Sequence, residues 1–170
     1  QFWLRKAPKV KLLKEPEIRI RWETPAVMKL IIICAPKHLK GLILFSLATG
    51  LRLTNAVRLE WPQTHMDKRI AWIYPDQTKS KKALMVPLNN IAMAVLRYQM
   101  GKHPIAVFPY RGKPFKAPGW DTWQRIFKKV SNLCKINIEN FHWHDMRHTW
   151  ASWLRQKGVS LGDIKEMGGW

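Results

Sequence analysis

The stretch FHWHDMRHTW, residues 141–150, places three histidines, an aspartate and an arginine within ten residues. Asp145 precedes a run with helical spacing, so we predict a helix that Asp145 caps, that runs to Lys157 and that Gly158 closes. Such a crowded helix start could bind a metal ion, hold a phosphate, or only cap and brace the helix. The stretch alone leaves these three interpretations open, and the rest of the chain has to separate them.

The sequence on either side of this helix is predicted to be mainly helical. Thr24 followed by Pro25 is typical of a helix start, and Gly50 is typical of a helix end. Ser160 and Asp163 resemble a capping box that opens a last short helix. Apolar periodicity predicts the other helices, and the predicted spans are 25–34, 38–49, 54–60, 90–100 and 120–135.

The middle of the chain changes to strand periodicity. RIAWIY (69–74) and ALMVPL (83–88) are rich in residues that favour strands, and the lysine-rich PDQTKSKK (75–82) lies between them. We therefore predict a small antiparallel sheet with a lysine-rich turn. The segment HPIAVFPYRGKPFKAPG (103–119) contains too much proline and glycine for a regular element. The domain is predicted to be α+β, mainly helical with one small sheet.

Charge is the strongest signal in the composition. The 170 residues contain 30 Lys and Arg against 11 Asp and Glu, giving a net charge of +19 and a pI ≈ 10.4. A domain this basic attracts phosphate backbones, so a nucleic-acid partner is favoured. The apolar content of 46 % fits one globular domain, and no apolar run reaches the roughly 18 residues that span a bilayer. Cys34 and Cys134 are predicted to be buried thiols in a reducing cytosol.

The metal interpretation of 141–150 is weaker than the phosphate interpretation. His144 and His148 have the spacing of zinc ligands, but Asp145 stands where the glutamate base is required, and the cation of Arg147 would oppose a metal. No metal site is therefore predicted. His144 and Arg147 suit a phosphate better, because the helix dipole and backbone N–H groups add to a guanidinium fork and a titratable imidazole. Local capping and pairing remains open for this stretch alone.

Two more cations are notable for their positions in the chain. In LATGLRLTNAVRLEW (47–61), Arg52 follows a glycine-terminated helix and precedes the next helix. Lys79 lies at the tip of the predicted β-turn, where its flexible stem could deliver an ammonium into a DNA groove or to a leaving oxygen. Taken singly, each of these cations is an ordinary surface residue.

The motifs ATGLR, TKS…VPL, HDMRHTWASWL and GGW, in this order, resemble the catalytic domain of tyrosine recombinases, the lambda-type phage integrase family. The resemblance extends from about residue 24 to residue 170. It implies a mainly helical α+β fold with a three-stranded antiparallel sheet, in which 24–170 is the integrase catalytic domain without its C-terminal tyrosine segment. Residues 1–23 look like the linker from an N-terminal core-binding domain that this chain lacks.

The resemblance also assigns roles to single residues. Arg52 and Arg147 would clamp the non-bridging oxygens of the scissile phosphate, and Lys79 would be the general acid for the departing 5′ oxygen. His144 would exchange a proton with the nucleophile, and Trp170 would donate its indole N–H to the phosphate. The implied DNA contacts are Arg52, Lys79, Lys81, Lys82 and Arg147, and the implied supporting residues are Asn55, Asp145 and His148.

Two features depart from the family pattern. Asn55 stands three residues after the first arginine, where the family often has an acidic residue, so it can brace Arg52 without adding charge. The nucleophilic tyrosine is expected shortly after GGW, whereas Tyr74, Tyr98 and Tyr110 fall on a strand end, a helix and an irregular loop. We therefore expect the 170-residue chain to be inactive by itself.

The function implied by the resemblance is site-specific recombination, as in DNA integration by mobile elements. The full-length protein would cleave and rejoin DNA through a 3′-phosphotyrosyl intermediate with no metal or nucleotide cofactor. Its partner would be double-stranded DNA, bound by a tetramer on two duplexes, while the 170-residue chain would be monomeric. A bacterial or phage-encoded cytoplasmic protein, associated with the nucleoid and not with a membrane, is expected. The alternatives are a non-catalytic DNA-binding relative, a type IB topoisomerase-like enzyme and, third, a zinc hydrolase.

Overall fold

Seven helices and five short strands form in the computed structural model, which describes residues 21–78, 81–135, 138 and 141–170. The helices are α1 Pro25–Cys34, α2 Lys37–Thr49, α3 Leu53–Val57, α4 Asn90–Gln99, α5 Trp120–Cys134, α6 Trp143–Gln156 and α7 Leu161–Gly168. The strands are β1 Thr64–His65, β2 Ile70–Ile73, β3 Leu84–Pro87, β4 Pro109–Tyr110 and β5 Lys113–Pro114. Within the described ranges, every helix is too short or too polar to traverse a bilayer. The predicted linker, 1–23, lies almost entirely outside the described residues.

Helix α2 forms the middle of the hydrophobic core. Its Leu39, Leu42, Ile43 and Phe45 are fully buried, and it packs against α1, α3, α4 and α6. Because α2 has neighbours on several sides, its apolar residues extend beyond a single stripe. The packing of α2 against α6 brings the glycine-terminated end of α2 next to the histidine-rich helix.

Most of the predicted helix boundaries are confirmed. The Thr24 hydroxyl accepts a hydrogen bond from the Val27 N–H at 3.4 Å, as expected of a residue that caps a helix start. Gly50 ends α2 in the left-handed region at φ 67°. The Ser160 hydroxyl accepts from the Asp163 N–H at 3.1 Å, which confirms the predicted cap of α7.

Helix α3 is shorter than the prediction of 54–60, because it ends at Val57. The backbone that follows pairs with a distant segment instead of continuing the helix. The Trp61 N–H donates to the Ile105 carbonyl at 2.9 Å, and the Val107 N–H donates to the Leu59 carbonyl at 3.0 Å. This long-range pairing satisfies the backbone groups that another helical turn would have used.

The predicted antiparallel sheet is confirmed, with the strand order β1-β2-β3. Ala71 pairs with Val86 and Ile73 pairs with Leu84, and the alternation turns Ala71, Ile73 and Val86 into the core. The segment 103–119, predicted to be irregular, contains the two-residue pairing of β4 with β5 and an isolated antiparallel bridge between Ala106 and Glu60. Strand β3 also packs against α7, where Leu84 lies against Gly169.

The start of α6 differs from the prediction that Asp145 is the capping residue. The helix begins at Trp143, and His142 is the residue that precedes the first turn. Asp145 lies inside the first turn, where its Oδ2 accepts from the His142 N–H at 2.7 Å. The carboxylate therefore satisfies a backbone donor from within the helix, as in the second half of a capping box.

Candidate functional site

A pocket of about 300 Å³ lies between two segments that are far apart in the chain. One is the junction between α2 and α3, and the other is the start of α6. The lining residues are Leu51, Arg52, Leu53, His142, Trp143, His144 and Arg147. The pocket thus brings together the two arginines and the histidine that the sequence singled out.

Arg147 is the most constrained side chain of the pocket, with 2 % of its surface exposed. Its Nη1 donates to the Gly50 carbonyl at 2.9 Å, and its Nη2 donates to the Gly168 carbonyl at 2.6 Å. Burial, and after it the nearby charge of Arg52, lowers the pKa of Arg147 to about 10. The guanidinium therefore remains charged at neutral pH, and its two partners are neutral carbonyls.

The Trp170 ring covers the Arg147 guanidinium, with 3.8 Å between Arg147 Cζ and the ring centroid. The Trp170 ring also stacks on Trp150, with ring centroids 6.2 Å apart. Gly168 makes room for this arrangement, because a Cβ at Gly168 would lie 2.4 Å from the Trp170 ring. The contact between Trp170 and Arg147 is a cation–π interaction, so in this structure Trp170 presents its ring, rather than its N–H, to Arg147.

Arg52 is held more loosely than Arg147. It is half-buried and occupies the position before the first turn of α3. Its Nη2 lies 3.5 Å from the Gly169 carbonyl, at the outer limit of a hydrogen bond. Both arginines therefore contact the end of α7, Arg147 through Gly168 and Arg52 through Gly169.

His144 is exposed on the first turn of α6, and its ring lies edge-on to His148 with centroids 4.9 Å apart. Partial desolvation of the imidazole at the pocket lowers the pKa of His144, and the charges of His148, Arg147 and Arg52 lower it further, while Asp145 opposes the shift. A His pKa below 6.5 leaves the imidazole neutral at pH 7, so that it can accept a proton.

With this geometry established, the comparisons with known proteins identify the family. The model of the phage integrase family matches residues 22–170. This chain belongs to the phage integrase family. Integrase from Salmonella phage P22 is 41 % identical over 176 residues, which cover 98 % of this chain and 45 % of that protein. The chain therefore spans less than half the length of this relative.

Solved integrase structures share the fold. The Tn1549 transposon integrase, in complex with transposon right end DNA, matches with a TM-score of 0.80 at 18 % identity, covering 98 % of this chain and 64 % of that one. The catalytic domain of bacteriophage HP1 integrase matches with a TM-score of 0.60 at 20 % identity, covering 89 % of this chain and 81 % of that one. The predicted fold, a tyrosine recombinase catalytic domain with a three-stranded sheet, is confirmed.

The remaining predicted residues of this integrase domain lie at different distances from the pocket. Lys79 falls outside the described residues, while Lys81 and Lys82, which follow it in the sequence, are exposed and do not line the pocket. Asn55 is buried; its backbone N–H donates to the Arg52 carbonyl at 3.0 Å, and its Oδ1 accepts from the Thr54 hydroxyl at 3.5 Å. The bond to Arg52 comes from the backbone of Asn55 and does not depend on its amide, whose hydrogen bond is to Thr54.

Neither a metal site nor a tyrosine is found at the pocket. No group of three or more potential metal ligands occurs within the described ranges. Tyr74, Tyr98 and Tyr110 are all exposed, and none of them lines the pocket. Tyr110 instead packs against His38 with tilted rings, their centroids 4.2 Å apart and their planes at 34°.

The carbonyl acceptors of Arg147 and the aromatic side chains that line the pocket were not predicted from the sequence. Gly50 and Gly168 hold Arg147 through their carbonyls, and His142 and Trp143 line the pocket beside the arginines. No side chain marks these acceptors in the sequence, because they are backbone carbonyls, although both belong to glycines of the TGLR and GGW motifs. His142 and Trp143 were not predicted as pocket residues, because the predicted helix began at Asp145 and left both of them outside it.

Proposed function

We propose that this chain is the catalytic domain of a site-specific DNA recombinase that cuts and rejoins strands through a 3′-phosphotyrosyl intermediate. The observation that carries the proposal is the convergence of Arg52, His144 and Arg147 on one pocket. DNA as the substrate is supported by the net charge of +19. It is also supported by the relatives, since the solved structures hold the Tn1549 integrase in complex with transposon right end DNA and the XerH site-specific recombinase bound to its difH substrate.

The two arginines would bind the non-bridging oxygens of the scissile phosphate. Carbonyl partners do not cancel the charge of Arg147, so it remains available to an anion in the pocket. Negative charge grows on the phosphate oxygens as the nucleophile adds, and a fixed cation stabilises that state without reorganising. The Nε–H of Arg147, which is buried without a partner among the described residues, adds a donor that an oxyanion can satisfy.

The proposed reaction has two halves that balance. A tyrosine hydroxyl attacks phosphorus and passes its proton to neutral His144, while the bond from phosphorus to the 5′ oxygen breaks. The 5′ oxygen leaves as a hydroxyl with a proton from Lys79, and the phosphate remains as a diester between the 3′ oxygen and the tyrosine. Attack by the 5′ hydroxyl of a partner strand reverses these steps, so no metal or nucleotide is consumed. Trp170 covers Arg147 and carries an indole N–H that can donate to the phosphate.

The role of Lys79 is supported by the sequence motif and by the place of its hairpin. Strand β3, which follows Lys79 along the chain, packs against α7, whose C-terminal end contacts both arginines. A substrate with sulfur in place of the 5′ bridging oxygen tests the role, because a thiolate leaves without a proton. Lys79→Ala should abolish cleavage of ordinary DNA and spare cleavage of the sulfur substrate. Loss of both would point to a binding role instead.

The nucleophile is proposed to be a tyrosine outside residues 1–170, because Tyr74, Tyr98 and Tyr110 do not line the pocket. A nicked suicide DNA substrate, which loses its leaving strand after cleavage, traps the covalent adduct. The full-length protein should form a protein–DNA adduct on a denaturing gel, and the 170-residue chain should form none. An adduct on the 170-residue chain would show that one of its own tyrosines is the nucleophile.

The assembly and the setting complete the proposal. We propose that residues 1–23 connect this domain to a core-binding domain, that the full-length protein acts as a tetramer on two duplexes, and that it works on DNA in the bacterial cytoplasm. The 170-residue chain is proposed to bind duplex DNA as a monomer, mainly through its many Lys and Arg. The logarithm of its binding constant should then fall linearly with the logarithm of salt concentration, and light scattering of the complex checks the stoichiometry.

A further inference from the structure

An exposed pair of stacked rings stands at the rim of the arginine pocket. Trp120, the first residue of α5, lies nearly parallel to His142, with ring centroids 5.2 Å apart and an interplanar angle of 21°. Trp120 is 47 % exposed, and the His142 side chain is 50 % exposed. We call these two residues the Trp120–His142 stack.

The stack is separate from the core packing of α5. Trp123, Ile126, Phe127 and Val130 form the buried face of this helix, as the sequence predicts. Trp120 instead lies outside that face and rests on a ring from another element. A large aromatic that the core does not use has its surface available to a ligand.

The stack is joined to the pocket through His142, which lines it together with Arg52, His144 and Arg147. Asp145 fixes the position of His142, since Oδ2 accepts from the His142 N–H at 2.7 Å and lies 3.7 Å from Nδ1. The ring at the rim is therefore anchored to the same helix turn that carries the phosphate-binding residues.

The pocket wall also contains donors that the protein leaves unpartnered. Among the described residues, three buried side-chain atoms have no hydrogen-bond partner, and two of them, Trp143 Nε1 and Arg147 Nε, belong to residues that line this pocket. Buried donors without acceptors are costly and uncommon. Their concentration here indicates a ligand that is rich in acceptors.

We propose that the Trp120–His142 stack binds an unpaired DNA base next to the phosphate in the arginine pocket. This inference rests on the proposed function, because rejoining to a partner strand requires that bases beside the break leave their original complement. An unpaired base loses stacking energy in water, and an exposed aromatic surface restores it with little dependence on sequence. The stack thus supplies a site for the base where the arginines supply a site for its phosphate.

The test compares single-stranded and duplex DNA on the 170-residue chain. Fluorescence anisotropy measures binding of a labelled oligothymidylate of about 12 nucleotides, a length within the usual site size, and of a duplex of the same length. Trp120→Ala should weaken oligothymidylate binding about 5-fold or more, the usual range for loss of one stacked base, and duplex binding by less than about 2-fold. Trp120→Phe should restore most of the difference. Tyr98→Ala is the matched control, since Tyr98 is 58 % exposed on α4, and it should change neither affinity.

A second readout reports the stacking itself. The fluorescence of one 2-aminopurine in a single-stranded oligonucleotide should be quenched when the unsubstituted chain or Trp120→Phe binds. Trp120→Ala should quench it less. Equal losses for single-stranded and duplex DNA, or an unchanged affinity for both, would overturn the proposal. Cleavage by the full-length protein is the separate test of the recombinase function. If Trp120→Ala weakens only single-strand binding and the full-length protein does not cleave DNA, the base-binding site is supported and the recombinase proposal is overturned. If the full-length protein cleaves DNA and Trp120→Ala has no selective effect on binding, the recombinase proposal is supported and the base-binding site is overturned.

Discussion

The two arginines of the pocket are held in opposite ways. Arg147 is buried, donates to two carbonyls and lies under the Trp170 ring. Arg52 is half-buried and has one contact at 3.5 Å, to Gly169. One side of the pocket is therefore fixed before any ligand arrives, whereas the other side can adjust to it. A fixed cation avoids reorganisation when charge develops, and an adjustable one loses conformational entropy on binding.

The difference follows from where each arginine lies in the chain. Arg147 lies within α6, and its hydrogen-bond acceptors are carbonyls at the C-terminal ends of two other helices, α2 and α7. Arg52 precedes the short helix α3, and its own backbone is the part that is held, through the Asn55 N–H. Substitutions in and around the pocket test whether the fixed side is the one on which activity depends.

The largest effect is expected for Arg147→Ala in the full-length protein. Loss of one fixed donor group to a developing oxyanion typically costs about 10²- to 10³-fold in rate, and single-turnover cleavage of a nicked substrate measures it. Duplex affinity should change little, because it is spread over many cations. Arg52→Lys should retain more activity than Arg147→Lys, since only Arg147 uses its planar fork for two fixed bonds. Parallel losses of binding and cleavage for Arg147→Ala would indicate a structural role.

The next effect concerns the glycine that supports Arg147 from α2. Gly50→Ala adds a Cβ that would lie 2.4 Å from the Trp150 ring, at φ 67°. Left-handed strain together with overpacking should lower the free energy of unfolding by about 2–4 kcal/mol. Gly101→Ala is the matched control, because its φ is +78° and its Cβ would meet nothing within 4 Å. Urea denaturation should show a loss of only about 1 kcal/mol there, and equal losses would mean that the contact with Trp150 contributes nothing.

A smaller effect is expected on the α7 side. Gly168→Ala would place its Cβ 2.4 Å from the Trp170 ring and 3.2 Å from Arg147 Nη2. We expect displacement of the ring and of the guanidinium, with cleavage slowed by about 10- to 100-fold and a smaller loss of stability than for Gly50→Ala. Gly162→Ala, also in α7, has only the Ser160 hydroxyl 3.7 Å from its Cβ and should cleave normally. Normal cleavage by Gly168→Ala would mean that the cover over Arg147 is dispensable.

The sequence predicted the local features of the fold well and the contacts of the site poorly. Caps such as Thr24 and Ser160 act within one turn, so the residues themselves determine them. The predicted end of α3 was wrong because the observed end depends on backbone pairing with a segment far along the chain. Arg52 and Arg147 were found through separated motifs, but the acceptors of Arg147 are backbone carbonyls, which no side chain announces. The position of these carbonyls depends on how α2, α6 and α7 pack together. The contact of the Trp170 ring with Arg147 depends on the same packing, so it could not be predicted from the sequence either.

The smallest effect is a shift in the pKa of His144, which is exposed and lines the same pocket as the two arginines. NMR titration of the 170-residue chain should give a pKa below 6.5, since burial and the charges of His148, Arg147 and Arg52 all disfavour the imidazolium. His148→Gln should raise this pKa, because it removes one nearby positive charge, whereas His65→Gln on β1 should not move it.

If neutral His144 accepts the tyrosine proton, cleavage is lost as pH falls through its pKa, and His148→Gln moves that acidic limb to higher pH. The free energy of unfolding depends on pH in the same direction. Because the pKa of His144 is lower in the folded chain, the unfolded chain binds this proton more tightly, and the free energy of unfolding falls as pH drops below 6.5. An acidic limb that stays in place while the pKa of His144 rises would assign the proton transfer to a different group.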